Sequence, residues 1–110
     1  MATKANLIID QGATFSTDLS LTDENGDLLV LTGYSADSQM RKWYTSSNAA
    51  AVFATNVNTS NGTLTLSLTS EETSGLVAGR YVYDVEIQDN ANTVTRIVEG
   101  IVTVTPQVTR

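Results

Sequence analysis

Apolar and polar residues alternate at every second position in most segments of this chain, which is the period of a β-strand that buries one face. In the segment 63–69, Leu64, Leu66 and Leu68 share one face, and threonines and serines share the other. Threonine, which favours strands, is the commonest residue, and Pro106 is the only proline. The sequence therefore predicts an all-β protein.

About seven strands follow from this alternation and from the turn residues between them. They cover residues 14–21, 28–31, 34–43, 52–57, 63–69, 80–88 and 93–105. Asn25-Gly26 and Asn61-Gly62 provide the positive φ that tight hairpin turns require. Glu99-Gly100 predicts a bulge in the last strand. Ser70, as a cap before two acidic residues, predicts one short helical turn.

The alternation also assigns inward faces to three of these strands, whereas the inward face of 34–43 stays open. The residues expected inward are Phe15, Thr17, Leu19, Leu21, Leu64, Leu66, Leu68, Tyr81, Tyr83, Val85 and Ile87. About seven strands at turn spacings of about 8–12 residues are typical of an immunoglobulin-like β-sandwich.

Tyr81 and Tyr83 sharpen this prediction, since they follow a corner of small residues at 78–79. Their spacing is that of a tyrosine corner, in which the first hydroxyl bonds to upstream backbone and secures the crossover between the sheets. The alternative is that both rings simply pack in the core. Tyr81 would be the corner residue, and Tyr83 a bulky inward neighbour.

Length and composition limit both the number of domains and the possible chemistry. A chain of 110 residues forms one domain, residues 1–110 with a core at 6–105. Cys and His are absent, so thiol chemistry, serine triads and the usual zinc ligands are excluded. We expect the protein to have no enzymatic activity, no bound metal and no cofactor.

Charge and the N-terminal sequence bear on partners and location. The net charge of −6 disfavours nucleic acid as a partner, and the first ten residues predict neither a secretion signal nor membrane insertion.

Two groups of residues with carboxylate or amide side chains are candidate chemical sites. Asp23, Asn25 and Asp27 alternate as calcium ligands do, but no closing glutamate follows, so we interpret them as a hairpin turn. Asp84 and Glu86 face outward on one strand and could be imagined as an acid–base pair. A solvated sheet face explains them better, because no nucleophile or oxyanion donor accompanies them.

Two further groups suggest contacts with other proteins. Trp43 and Tyr44 follow two basic residues, and we interpret them as interface or core rather than as a platform for a ligand. The apolar run Leu28, Leu29, Val30 and Leu31 would be an adhesive strand edge if exposed. We therefore expect it to be central in a sheet or covered by a neighbouring subunit.

Five short segments, taken in order, resemble the immunoglobulin-like domains of tailed-phage virion structural proteins. They are residues 11–15, 31–36, 39–41, 78–86 and 99–104. The resemblance is closest to virion proteins of contractile-tailed cyanophages, is more distant to the N-terminal domain of the lactococcal baseplate upper protein, and covers residues 6–105. It implies a structural adaptor that docks on baseplate, tail or capsid.

The expected function is therefore that of a non-enzymatic accessory or adaptor protein of a phage tail or baseplate. It would be assembled in the host cytoplasm with other virion proteins, as a homo-oligomer or symmetric lattice. One alternative is a capsid decoration protein. Another is a carbohydrate-binding module that recognises host surface glycan through Trp43, Tyr44 and neighbouring loops. Residues 1–5 either lie free or cross to a neighbouring copy.

Overall fold

The computed structural model describes residues 3–21, 33–58 and 62–108, which form nine strands and one short helix. The strands are β1 (Thr3–Lys4), β2 (Leu7–Asp10), β3 (Phe15–Ser20), β4 (Ser35–Arg41), β5 (Ala51–Val52), β6 (Ala54–Asn58), β7 (Thr63–Leu68), β8 (Gly79–Gln88) and β9 (Val94–Thr105). The helix α1 spans Ser70–Ser74. The prediction of an all-β protein with one short helical turn is confirmed.

The strands form two sheets, as a β-sandwich requires. The first sheet has the order β9-β8-β4-β5, and β1 and β2 both pair in parallel with the free edge of β9. The second sheet has the order β3-β7-β6, with antiparallel pairs throughout. This division matches that of an immunoglobulin-type sandwich. In the second sheet, β3, β7 and β6 correspond to strands B, E and D. In the first sheet, β4, β8 and β9 correspond to strands C, F and G.

The core lies between the two sheets and is built from every second residue of their strands. Leu64, Leu66 and Leu68 of β7 are buried, as are all four inward residues predicted for β8. On β4 the buried face carries Ser38 and Met40. The Ser38 hydroxyl donates to the carbonyl oxygen of Asp84 at 2.7 Å, so this polar group is satisfied inside the core.

The strand predicted for residues 34–43 ends earlier, at Arg41. The Trp43 N–H donates to the Ser46 hydroxyl, and the Ser46 N–H donates to the Trp43 carbonyl, which closes a tight turn. Trp43 and Tyr44 consequently lie in the loop between β4 and β5.

The prediction of a single strand over 52–57 was also wrong. The chain forms two short strands there, because it passes from the first sheet to the second at the buried Phe53.

The bulge in β9 lies at Ile97 and not at Glu99-Gly100. Val85 pairs with Val98 and Glu86 pairs with Arg96, which leaves Ile97 as the extra residue. Gly100 has a different role, since a Cβ atom at this position would overlap the backbone of Ala5. The glycine allows the N-terminal segment to approach β9.

The short helix begins at a different cap from the predicted one. Thr69, rather than Ser70, is the N-cap, and its hydroxyl accepts a hydrogen bond from the Glu72 N–H at 3.2 Å. The Glu72 carboxylate in turn accepts from the Thr69 N–H at 2.9 Å, which completes a capping box. Thr69 is one residue earlier, where the alternation of β7 ends.

Several predicted features lie outside the described residues. These are the hairpin at Asn25-Gly26, the alternating polar residues Asp23, Asn25 and Asp27, and the apolar run Leu28, Leu29, Val30 and Leu31. The second hairpin is described at its ends, where Asn58 pairs with Thr63 and Gly62 has a φ of 63°. Of residues 1–5, Thr3 and Lys4 pair with β9 of the same chain and so do not lie free.

Candidate binding face

The outer face of the first sheet contains a shallow polar cavity of about 290 Å³, here called the outer cavity. It is lined by Gln39, Arg41, Tyr44, Val82, Tyr83, Asp84, Glu86, Arg96 and Glu99. β4, β8 and β9 supply its floor and the β4–β5 loop supplies Tyr44. The outer cavity is therefore built mostly on regular strands, which hold side chains more rigidly than loops do.

The strand registers explain which side chains meet in this cavity. Because Tyr83 and Val85 are inward on β8, Asp84 and Glu86 point outward. Asp84 lies between Gln39 of β4 and Glu99 of β9. The outward phase of β8 thus places Asp84 and Glu86 in the cavity, and the pairing of β9 with β8 places Glu99 beside Asp84.

The bulge at Ile97 determines whether Arg96 belongs to this face. Uninterrupted alternation from the outward Glu99 would turn Arg96 inward, toward the core. The extra residue shifts the phase, and Arg96 instead lies opposite Glu86 on the outer face. The sequence signal was the apolar pair Ile97-Val98 next to a charged residue, which strict alternation does not accommodate.

Both guanidinium groups in the outer cavity are held by neighbours. Arg96 Nε lies 3.4 Å from Asp84 Oδ2, and its Nη1 lies 3.4 Å from Glu99 Oε2. Arg41 Nη1 donates to the Ser46 carbonyl at 2.9 Å, and Nη2 donates to Gln39 Oε1 at 2.8 Å. The ion pairs are partly exposed and contribute little to stability, but they fix where donors and acceptors point.

The carboxylates of Asp37 and Glu86 lie on this face too, outside the ion pairs that Arg96 forms with Asp84 and Glu99. Asp37 of β4 pairs directly with Glu86 of β8, and like charges at opposed positions repel. Among the described residues, neither side chain forms an ion pair. A second depression of about 110 Å³ adjoins the outer cavity here and shares Gln39, Asp84 and Glu86 with it.

Asp84 and Glu86 thus line the same cavity. Asp84 is engaged by Arg96, and the cavity is shallow and partly exposed. In the three described ranges, no three acidic side chains lie close enough together to hold a metal ion. What the arrangement offers chemically is a set of fixed hydrogen-bond donors and acceptors.

Trp43 and Tyr44 are neighbours in sequence but occupy different environments. Tyr44 is 78% exposed and lines the outer cavity, whereas Trp43 is 65% exposed and is not among the lining residues. Lys42 Nζ lies 5.9 Å from the centre of the Trp43 ring. Neither residue is in the core, so the core alternative predicted for Trp43 and Tyr44 was wrong.

The two tyrosines of the predicted corner face the interior beneath this surface. The Tyr81 hydroxyl donates to the Val77 carbonyl at 2.6 Å, as a tyrosine corner requires. The Tyr83 hydroxyl donates to the Ala5 carbonyl at 2.5 Å. Burial raises the pKa of Tyr83 to about 12, because the interior disfavours the charged phenolate.

Neither a family model nor a curated protein matches the chain. Within the part of the chain that the structure describes, no helix has the length and apolarity needed to cross a bilayer.

Proposed function

We propose that this protein is a non-enzymatic structural component of a phage virion, an accessory or adaptor of the tail or baseplate that acts through protein–protein contacts. The observation that carries the docking role is Trp43, a large aromatic side chain that a closed turn displays to solvent. Tryptophan is enriched among the residues that dominate binding energy at protein interfaces. Trp43 is therefore the proposed anchor.

The loop that carries Trp43 is held in place before any partner arrives. Ser46 closes the turn through two hydrogen bonds with the Trp43 backbone, and its carbonyl accepts from Arg41 Nη1. A loop fixed in this way loses little conformational freedom on binding, which favours affinity. The rigid two-sheet body behind it suits a component that is repeated in a symmetric assembly.

The virion setting is supported by the sequence resemblance, which covers residues 6–105. The partners would be other virion proteins, with a homo-oligomer or symmetric lattice as the form of assembly, and the net charge of −6 disfavours contact with the packaged genome. A capsid decoration protein is the closest variant of this proposal. The two differ in copy number, on the order of hundreds per particle for the head and about tens or fewer for the tail.

The proposal is tested on purified particles of the phage that encodes this chain. Mass spectrometry should find the protein, and its ratio to the major capsid protein should indicate tail or head. Trp43→Ala should greatly reduce incorporation, whereas Val94→Ala, an exposed apolar residue at the opposite end of the first sheet, should incorporate normally. Particles that lack the wild-type protein would contradict the virion role, and equal incorporation of the Trp43→Ala variant would contradict the docking role.

A further inference from the structure

We propose that the outer cavity binds a neutral saccharide, with a sugar ring against Tyr44 and its hydroxyls between the guanidinium and carboxylate groups. This inference is independent of the docking role of Trp43, which does not line the cavity. It also differs from the glycan site expected from the sequence, since the polar residues of β4, β8 and β9 replace Trp43. Three observations support it: the charges, the hydrogen-bonding groups and the aromatic rim.

The charges of the cavity disfavour ligands with a net charge of either sign. Arg41 and Arg96 would face a cationic ligand, and three carboxylates would face an anionic one. Arg96 is already paired with two of these carboxylates, which reduces the field available to attract an ion. A neutral ligand meets no such repulsion, and it need not displace the ion pairs.

The hydrogen-bonding groups match a molecule whose polar groups both donate and accept. A guanidinium only donates and a carboxylate only accepts, whereas a hydroxyl does both. Glu86 is half-buried and forms no ion pair with the described residues, so its oxygens are available as acceptors. A sugar hydroxyl between Glu86 and Arg96 could donate to the first and accept from the second. The hydrogen bond from Arg41 Nη2 to Gln39 Oε1 fixes further polar groups at the other side of the cavity.

The aromatic rim supplies the apolar contact that a sugar ring needs. Tyr44 is 78% exposed and borders the polar lining. An exposed ring offers its face to the C–H groups of a pyranose, and the phenol can hydrogen-bond with a neighbouring hydroxyl. A volume of about 290 Å³ is near the lower end of the range for ligand pockets, which suits one or two sugar rings.

The test is a titration of the ¹⁵N-labelled full chain, observed by NMR. The probes are the neutral methyl glycosides of glucose, galactose, mannose, rhamnose and N-acetylglucosamine, each raised to about 50 mM to detect millimolar affinity. We expect at least one of them to shift the amide signals of Asp84, Glu86 and Arg96 in a saturable manner. Raising the salt concentration to about 0.5 M should leave the affinity within a factor of about two, because the ligand is uncharged.

Variants separate this site from the loop beside it. Tyr44→Ala and Glu86→Ala should each weaken binding by at least about tenfold. Trp43→Ala is the matched control, an adjacent exposed aromatic residue outside the cavity, and should bind as the wild type does. The same pair of variants separates the two proposals. Trp43→Ala should reduce incorporation into particles but not the affinity for the saccharide, whereas Tyr44→Ala should reduce the affinity for the saccharide.

Three outcomes would overturn the inference. One is the absence of saturable shifts with all five glycosides. Another is full retention of binding by the Tyr44→Ala variant. The third is that a lysine-rich peptide shifts the same amides, with a steep dependence on salt, while the glycosides do not, which would identify the cavity as an acidic docking site for protein.

Discussion

Tyr81 and Tyr83, two positions apart on β8, connect backbone segments that have very different separations in sequence. Tyr81 reaches Val77, four residues upstream, and Tyr83 reaches Ala5 in the N-terminal segment. Both rings are buried, so each hydroxyl would lose hydration without a protein partner. The rings therefore combine packing in the core with a polar tie to its edges.

Replacing Tyr81 with phenylalanine should lower the free energy of unfolding by about 1 kcal/mol, because the ring still packs but the Val77 carbonyl loses its donor. Denaturant unfolding, followed by circular dichroism, measures this change. Tyr44→Phe, which removes a hydroxyl from an exposed ring, is the control and should leave the unfolding midpoint unchanged. An unchanged midpoint for Tyr81→Phe would show that this bond does not stabilise the fold.

The sequence could predict the partner of one tyrosine and not of the other. The bond of Tyr81 follows from a local pattern, a small-residue corner and a short loop, so the spacing along the chain was enough. The bond of Tyr83 spans 78 residues and depends on where the N-terminal segment lies. No local pattern specifies that position, because Ala5 lies in the short link between β1 and β2, far from Tyr83 along the chain.

Among the elements, β9 carries two irregularities with different consequences. Its bulge at Ile97 turns Arg96 toward the outer cavity, and Gly100 leaves room for the backbone of Ala5. The sequence indicated an irregularity in this strand but placed it at Glu99-Gly100. The glycine suggested a bulge, whereas here it permits the close approach of the Ala5 backbone.

Gly100→Ala should destabilise the protein by about 1–3 kcal/mol, because the new methyl group would displace the Ala5 backbone from β9. The displacement would weaken the hydrogen bond from the Ala5 N–H to the Glu99 carbonyl, which measures 2.9 Å. Relative to the wild type, amide hydrogen exchange should accelerate more in β1 and β2 than in the strands of the second sheet. The thermal midpoint should fall accordingly.

Gly75→Ala is the matched control for this prediction. Gly75 has a right-handed φ of −79°, and a Cβ atom there would lie 3.7 Å from the Glu72 carbonyl oxygen, an ordinary van der Waals contact. The substitution should leave stability unchanged or raise it slightly, since alanine restricts the unfolded chain. If Gly100→Ala were as stable as Gly75→Ala, the N-terminal segment would not depend on this approach.

At the scale of the whole molecule, alternation and turn residues were enough to predict the all-β class and the inward faces of β3, β7 and β8. They did not reveal how the chain moves between sheets. Phe53 occupies a buried position where the chain leaves β5 in one sheet and enters β6 in the other. The outer cavity was missed for a related reason, since it depends on registers among β4, β8 and β9 and on one extra residue.

Stability of the whole fold should fall in alkaline solution because of Tyr83. Its side chain is only 3% exposed, and burial raises its pKa to about 12 from an unfolded value of 10.0. The folded state therefore favours the neutral phenol. The stabilisation is fully present below pH 10 and is lost as the pH rises toward 12, with a total loss of roughly 2–3 kcal/mol.

Comparison with the Tyr83→Phe variant isolates this effect. The variant should be less stable than the wild type by about 1 kcal/mol near pH 8, because the Ala5 carbonyl loses its donor. It has no phenol to ionise at this position, so its stability should decline less between pH 10 and 12. The free energies of unfolding of the two proteins, plotted against pH, should therefore converge or cross. Parallel declines of the two proteins across that range would show that the Tyr83 hydroxyl is not held in its neutral form by the fold.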